Sequence, residues 1–195
     1  MKLPFAFILV GSVFLTPFAS AVDGPKTNML QNGDFSVGEG QRVYRWLVPP
    51  TPLKGHGEDA AQIGYGIVMD GAGNPGLGLS TAKPMKAHIW WQQEVTALPA
   101  TTYQFTVRMS GEILNDGGTR SYLVPDVLIY FLSATGSWIG YEPLPKTVEF
   151  SKDWQTVTIK ITTPEDAVKM GVRLGMSTSS QVKVRFDDAT LVQLK

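Results

Sequence analysis

Thr101-Thr102-Tyr103-Gln104-Phe105-Thr106-Val107-Arg108-Met109-Ser110-Gly111 decides the fold. Tyr103, Phe105, Val107 and Met109 fall on one side of a two-residue repeat, and Gln104, Thr106, Arg108 and Ser110 on the other, which is the pattern of a half-buried strand. The same parity returns downstream. Val168, Met170, Val172, Leu174 and Met176 alternate with Lys169, Gly171, Arg173 and Gly175, so a second strand carries basic side chains outward. Further strands are predicted at about Ile63–Met69, Ala87–Val95, Leu123–Leu132, Gln155–Ile161 and Val182–Leu194, and no stretch holds a helical stripe over three turns.

The connections agree with this reading. Asn115-Asp116-Gly117-Gly118 and Asp70-Gly71-Ala72-Gly73-Asn74-Pro75-Gly76 are turn chemistry, in which glycine supplies positive φ and proline stops a ladder. With 20 glycines and 13 prolines, the composition favours short strands joined by many turns over a helical protein. Many short strands without βαβ spacing predict an all-β fold, a jelly-roll β-sandwich of two antiparallel sheets. The glycine- and proline-rich segments Val37–Gly57 and Asp70–Pro84 are expected to be long surface loops of the kind that bind ligands. In the final strand, Val184 and Phe186 want one parity and Ala189 and Leu191 the other, so the chain must bulge or bend at Asp187-Asp188.

Residues 1–21, MKLPFAFILVGSVFLTPFASA, read as a cleaved export signal. Lys2 is followed by an apolar run from Leu3 to Phe18 that is short for a membrane span, and Ala19 and Ala21 stand as an A-x-A cleavage site. No later run is long enough to cross a bilayer, and residues 22–195 are expected to form a single domain working in the periplasm or outside the cell. With no cysteine in the chain, neither disulfides nor thiol chemistry are available. Seventeen basic and seventeen acidic residues balance, so the positive field of a nucleic-acid binder is missing.

An ordered set of segments carries a resemblance. It comprises Asn28-Met29-Leu30-Gln31-Asn32-Gly33-Asp34-Phe35, Trp46, Gln93-Glu94-Val95, Thr101 to Val107, Trp154-Gln155-Thr156-Val157 and Phe186-Asp187-Asp188-Ala189-Thr190-Leu191. In that order the chain resembles the carbohydrate-binding module superfamily of families 4, 9 and 22, galactose-binding-like β-sandwiches that accompany polysaccharide-degrading enzymes. The resemblance implies binding of an oligo- or polysaccharide, with such an enzyme acting alongside. It also implies a structural calcium joining the first strand to the last. Asp188 matches the last-strand ligand; Ser36 stands where a carboxylate is expected, with Asp34 as its substitute. Trp154 in its family position closes one end of the sandwich.

Enzymatic chemistry has no visible signature. A glycosidase needs two carboxylates about 5 to 9 Å apart, and none of Glu39, Glu58, Asp59, Asp70, Glu94, Asp126 or Glu142 sits in a pattern that marks a pair. The two histidines, His56 and His88, are too few for a three-histidine metal site. Sugar binding asks instead for flat rings beside polar groups. In Ala87–Val95, His88 and Trp90 share one face, and Ile89, Trp91, Gln93 and Val95 the other. If the Ile89 face is core, Trp90 is exposed, although Gln93 fits poorly there; in a regular strand one of the two tryptophans must face away from the core. A binding surface is expected from Trp90, His88, Arg108, Arg173 and one of Tyr130 or Asp126. Tyr44 and Trp46 would flank it, and Trp138 with Tyr141 would form a second cluster. The leading reading is non-catalytic glycan binding. Its rivals are a structural or protein-binding sandwich and, more remotely, a jelly-roll lyase or hydrolase.

Overall fold

The computed structural model describes residues 27–48, 57–118 and 122–195, so the export segment and residues 22–26 lie outside the described residues. In chain order the strands are β1 (Gly38–Glu39), β2 (Arg42–Val43), β3 (Ile63–Met69), β4 (Pro75–Thr81), β5 (Ala87–Thr96), β6 (Thr102–Asn115), β7 (Leu123–Leu132), β8 (Trp138–Pro143), β9 (Gln155–Thr162), β10 (Lys169–Thr178) and β11 (Gln181–Gln193). A short 3-10 turn, Gly57–Gln62, leads into β3. Every strand pairing is antiparallel. Beside the two-stranded β1-β2 pair, two large sheets result: β5-β10-β7-β8, and β3-β4-β11-β6-β9. They pack face to face as the jelly-roll sandwich predicted from the strand pattern.

The core is the sum of the apolar parities. Ile89 and Trp91 of β5, Val127, Ile129 and Phe131 of β7, and Met170, Val172, Leu174 and Met176 of β10 meet Tyr103, Phe105, Val107 and Met109 of β6 and Val182, Val184 and Phe186 of β11. A fully buried leucine or phenylalanine contributes about 1.5–3 kcal/mol relative to its exposed state. With two-residue periodicity, a register slip by one would turn each such row into solvent. Gln93 does sit on the core face, at 6% exposure, where its side chain accepts from the Gln31 amide at 2.8 Å and donates to the Gln31 carbonyl at 2.9 Å. Both ends of the buried amide are thus satisfied.

The predicted irregularity in the last strand is present. Register shifts between Asp187 and Thr190, and Asp188 holds φ at 50°. The N-terminal segment is stitched into that bulge: the Ala189 amide donates to the Gly33 carbonyl at 2.8 Å, and the Asn28 side chain bonds the Ala189 carbonyl and the Leu191 amide.

Two expectations need correction. Asp70–Pro84 is not a loop throughout, because Pro75–Thr81 forms β4 between β3 and β11 of the larger sheet, with Leu77 and Leu79 buried and Gly76 and Gly78 at the alternate positions. Within Val37–Gly57, Gly38–Glu39 and Arg42–Val43 pair as a hairpin and Leu47 bonds Gln92 on the β5 edge, while residues 49–56, including His56, lie outside the described residues.

Candidate functional site

Pairing across the four-stranded sheet defines its outer face row by row. Trp90, Gly175 and Asp126 stand opposite one another; so do Gln92, Arg173 and Leu128; and so do Glu94, Gly171, Tyr130 and, on β8, Tyr141. The two glycines explain the arrangement. A Cβ on Gly171 would lie 2.0 Å from the Tyr130 ring, and one on Gly175 would lie 2.6 Å from the Trp90 Cβ. The missing side chains on β10 therefore let a ring from each neighbouring strand lie across it.

Arg173 rises between those rings. Its guanidinium carbon is 4.1 Å from the Trp90 ring centre and 5.6 Å from that of Trp138, distances at which a cation is drawn to the ring faces. Trp138 lies flat on Tyr130, 4.7 Å between centres and 3° between planes, and is itself 52% exposed. Tyr130 is buried beneath it, and its hydroxyl donates to Glu94 at 3.1 Å. Burial first, and the adjacent Glu94 charge second, hold that hydroxyl far above the ordinary phenol range, so it remains a donor.

Asp126 collects the other polar contacts. It faces His88 Nε2 at 2.7 Å and accepts from Arg173 at 3.4 Å, and the His88 ring packs against Trp90 at 4.8 Å. Trp90 Nε1 donates to Gln92 at 3.2 Å. The result is a two-ring surface around a fixed arginine, bordered by two carboxylates and a glutamine. That combination offers stacking area together with hydrogen-bond donors and acceptors for hydroxyl groups.

The structure brings together His88, Trp90, Asp126, Tyr130 and Arg173. Trp90 is the half-buried ring and Trp91, at 1% exposure, is the core ring, with its Nε1 donating to the Gly78 carbonyl at 3.3 Å. Arg108 does not join them. It points outward from β6 in the other sheet, on the opposite side of the sandwich, because parity assigns a side chain to an outer face without saying which sheet carries it. Trp46 is also not a surface ring: it is 2% exposed, packs on Phe35 at 5.3 Å, and donates to the Asn32 carbonyl at 3.1 Å. Tyr44 is exposed but turned toward Arg45, whose guanidinium is 5.0 Å from its ring. Arg45 lines an adjoining concavity of about 900 Å³ along the β5 edge, which shares Gln92 and Glu94 with this face. Trp138 belongs to the main site rather than to a second cluster, and Glu94 and Gln92 complete it.

Asp34 and Asp188 meet the seam between the N-terminal segment and the bulge, but their side chains alone do not complete a calcium site. Calcium takes six to eight oxygens. Asp188 is already held by Arg108 at 3.0 Å, Asp34 accepts from the Ser36 hydroxyl at 3.1 Å, and among the described residues no three acidic or histidine side chains converge. Arg108, also 3.7 Å from Asp187, is the cation of this seam. Burial raises the Asp187 carboxyl above the ordinary aspartate range despite the Asp188 amide it accepts from and the pull of Arg108, and the charges of Asp188 and Asp34 add to the rise.

No protein-family model matches the sequence, and no curated protein sequence does either. Solved structures do match. A family 61 carbohydrate-binding module in complex with β-1,4-galactotriose superposes with a TM-score of 0.56 at 17% identity, covering 87% of this chain and 100% of that one. The CBM22-1 xylan-binding domain of the Paenibacillus barcinonensis xylanase gives 0.55 at 8% identity, covering 87% and 96%. The chain has the fold of carbohydrate-binding modules. The same sandwich also occurs in the enzymatically active domain of a bacteriophage CBA120 tailspike, with a TM-score of 0.55 at 12% identity; there it covers 86% of this chain but 21% of the phage chain.

Proposed function

We propose that this protein is an exported, non-catalytic module that holds a neutral oligo- or polysaccharide across the outer face of the four-stranded sheet, alongside a polysaccharide-degrading enzyme. The observation that carries the reading is Arg173 fixed between Trp90 and Trp138, with the Trp138 ring laid flat on Tyr130 and open to solvent. Trp90 and Trp138 stack on the apolar faces of pyranose rings, Arg173 and the Tyr130 hydroxyl donate, and Glu94, Asp126 and Gln92 accept from sugar hydroxyls. Asp126 offsets the charge of Arg173, and Glu94 adds a second carboxylate, so the surface has no surplus of positive charge for an acidic sugar. The carbohydrate-binding modules with this fold include ones named for β-1,4-linked galactose and for xylan, both neutral chains, which supports the choice. The non-catalytic reading is supported by the likeness to carbohydrate-binding modules.

Affinity electrophoresis through gels containing β-1,4-galactan or β-1,4-xylan tests the reading. Retardation by at least one of them, with no reducing ends released on prolonged incubation, is the expected result. Free migration through a panel of neutral glycans would remove the proposal.

A further inference from the structure

The outer face of the four-stranded sheet does not stop at β5. Leu47 and Gln92 exchange both backbone bonds, at 2.9 and 2.8 Å, and an antiparallel pair of this kind points its two side chains to the same side of the sheet. Leu47 therefore carries the row of Gln92 and Arg173 one strand width outward, and it is 66% exposed there. Past Leu47 the pairing breaks off at Arg45, which holds φ at 68°. That turn is fixed from both sides: the Trp46 amide donates to the Val43 carbonyl at 3.1 Å, and the Asn32 side chain donates to the Tyr44 carbonyl at 3.1 Å.

The break leaves the β5 edge open where Arg45 would have paired. Backbone groups along a strand point alternately to its two sides. Since Gln92 turns toward Leu47, Glu94 and Thr96 turn the same way, and among the described residues neither finds a backbone partner on that side. Both line the concavity of about 900 Å³, together with Arg45, Leu47 and Gln92. Its charged side chains are Arg45 and Glu94, which do not pair with each other. Arg45 rests on the Tyr44 ring with no ion pair among the described residues. Glu94 Oε1 accepts from Tyr130, and its other oxygen has no partner among the described residues.

We infer that this concavity is a further sugar subsite, which takes one neutral sugar ring joined to the chain held on Trp90 and Trp138. Arg45 and the edge amides of Glu94 and Thr96 donate to its hydroxyls, the Glu94 carboxylate and the edge carbonyls accept from them, and its C–H face covers Leu47. The inference rests on the glycan-binding reading above. Continuity sets the ligand class: Gln92 and Glu94 belong to both the ring face and the concavity, and they bond Trp90 and Tyr130 on the ring side. One guanidinium and one carboxylate, set apart, match hydroxyl groups rather than an anion or a cation. The line from Trp138 through Arg173 to Trp90 crosses the strands, and the concavity lies beside its β5 end. The added ring is the next unit of the chain or a branch on it, with the same chemistry in either case.

Titration calorimetry tests this with β-1,4-linked xylose and galactose oligomers, each as the linear trisaccharide, the linear hexasaccharide and the trisaccharide bearing one arabinose branch. In a series that binds, the hexasaccharide or the branched trisaccharide should bind the parent about tenfold more tightly than the linear trisaccharide, as expected for hydrogen bonds to charged groups. A gain in the hexasaccharide identifies a chain unit, and a gain in the branched ligand identifies a branch. Arg45→Asn, which tolerates the left-handed backbone, should lose that gain and bind the linear trisaccharide like the parent. Leu47→Ser should reduce the gain severalfold, and Trp90→Ala should weaken all three ligands alike. Equal affinity of the parent for all three, a gain that survives Arg45→Asn, or an Arg45→Asn loss equal for every ligand would overturn the subsite and leave the ring face standing. Absence of binding in both series would overturn the glycan reading and the subsite together.

Discussion

Replacing Trp90 by alanine removes the ring that Arg173 stacks on and that His88 packs against, while leaving the interior untouched, because Trp90 lies on the outer face over Gly175. The stability cost is that of a partly exposed ring and one cation contact, about 1–2 kcal/mol. For a domain of this size that lowers Tm by a few degrees, at about 2–4 °C per kcal/mol. The cost to binding is larger. A stacking ring at the centre of a recognition surface contributes about 2 kcal/mol or more, a roughly thirtyfold loss of affinity. Trp91→Ala inverts the ratio: its ring is 1% exposed, packs edge-on against Tyr65 at 5.8 Å, and leaves a cavity costing about 3–5 kcal/mol. Titration calorimetry with the glycan that retards the parent, read beside thermal melts, separates the two. Parental affinity in Trp90→Ala would show that this face is not the site. A loss of stability equal to that of Trp91→Ala would show that Trp90 is packing rather than recognition.

Gly171→Ala should cost about 1–3 kcal/mol and weaken glycan binding, since its Cβ would strike Tyr130 and lift Trp138 with it; melts and affinity gels read both effects. Asp187 binds its proton more tightly folded than unfolded, so stability falls as pH rises from about 4 through its raised value, and Asp187→Asn should flatten that slope in urea titrations across the window without loss at neutral pH. With Arg108 as the cation at the bulge, neither calcium nor a chelator should move the Tm; an upward shift with calcium would restore an ion to the Asp34 and Asp188 seam. Secreted material should begin near Val22 by mass spectrometry, and an intact Met1 would refute cleavage after Ala21.

Parity carried most of what the sequence could tell. Alternation in Tyr103–Met109 and Met170–Met176 located two central strands and their buried sides, and the clash of parities around Asp187-Asp188 located the bulge. Parity also chose correctly between Trp90 and Trp91, even though Gln93 argued against it; the missing information was Gln31, sixty-two residues away, which satisfies that amide. Arg108 and Arg173 look alike in sequence because each is an outward residue between apolar ones, and only strand order puts them on opposite sides. β4 was hidden by its glycines, although Gly76-Leu77-Gly78-Leu79 does alternate with an apolar side. Trp46 read as a loop aromatic because a turn that folds back under its own ring has no periodic signature. The stack of Trp138 on Tyr130 depended on the β7-β8 register, bulge included, yet the glycines at 171 and 175 flanking Arg173 were a signal that neighbouring side chains would cover that strand.

The rings over β10 are fixed before any ligand arrives. Tyr130 rests on Gly171, Trp138 rests on Tyr130, and Arg173 is held by Trp90 on one side and Asp126 on another. Little side-chain freedom remains to be lost on association, which removes a cost of about 0.5–1.5 kcal/mol for each residue that would otherwise have to be ordered. Binding to such a surface should therefore be driven by enthalpy at room temperature, with a negative heat-capacity change from the covered ring faces and an entropic penalty that falls mainly on the ligand. A glycan already stiff in solution should then gain more from this surface than a flexible one with the same contacts.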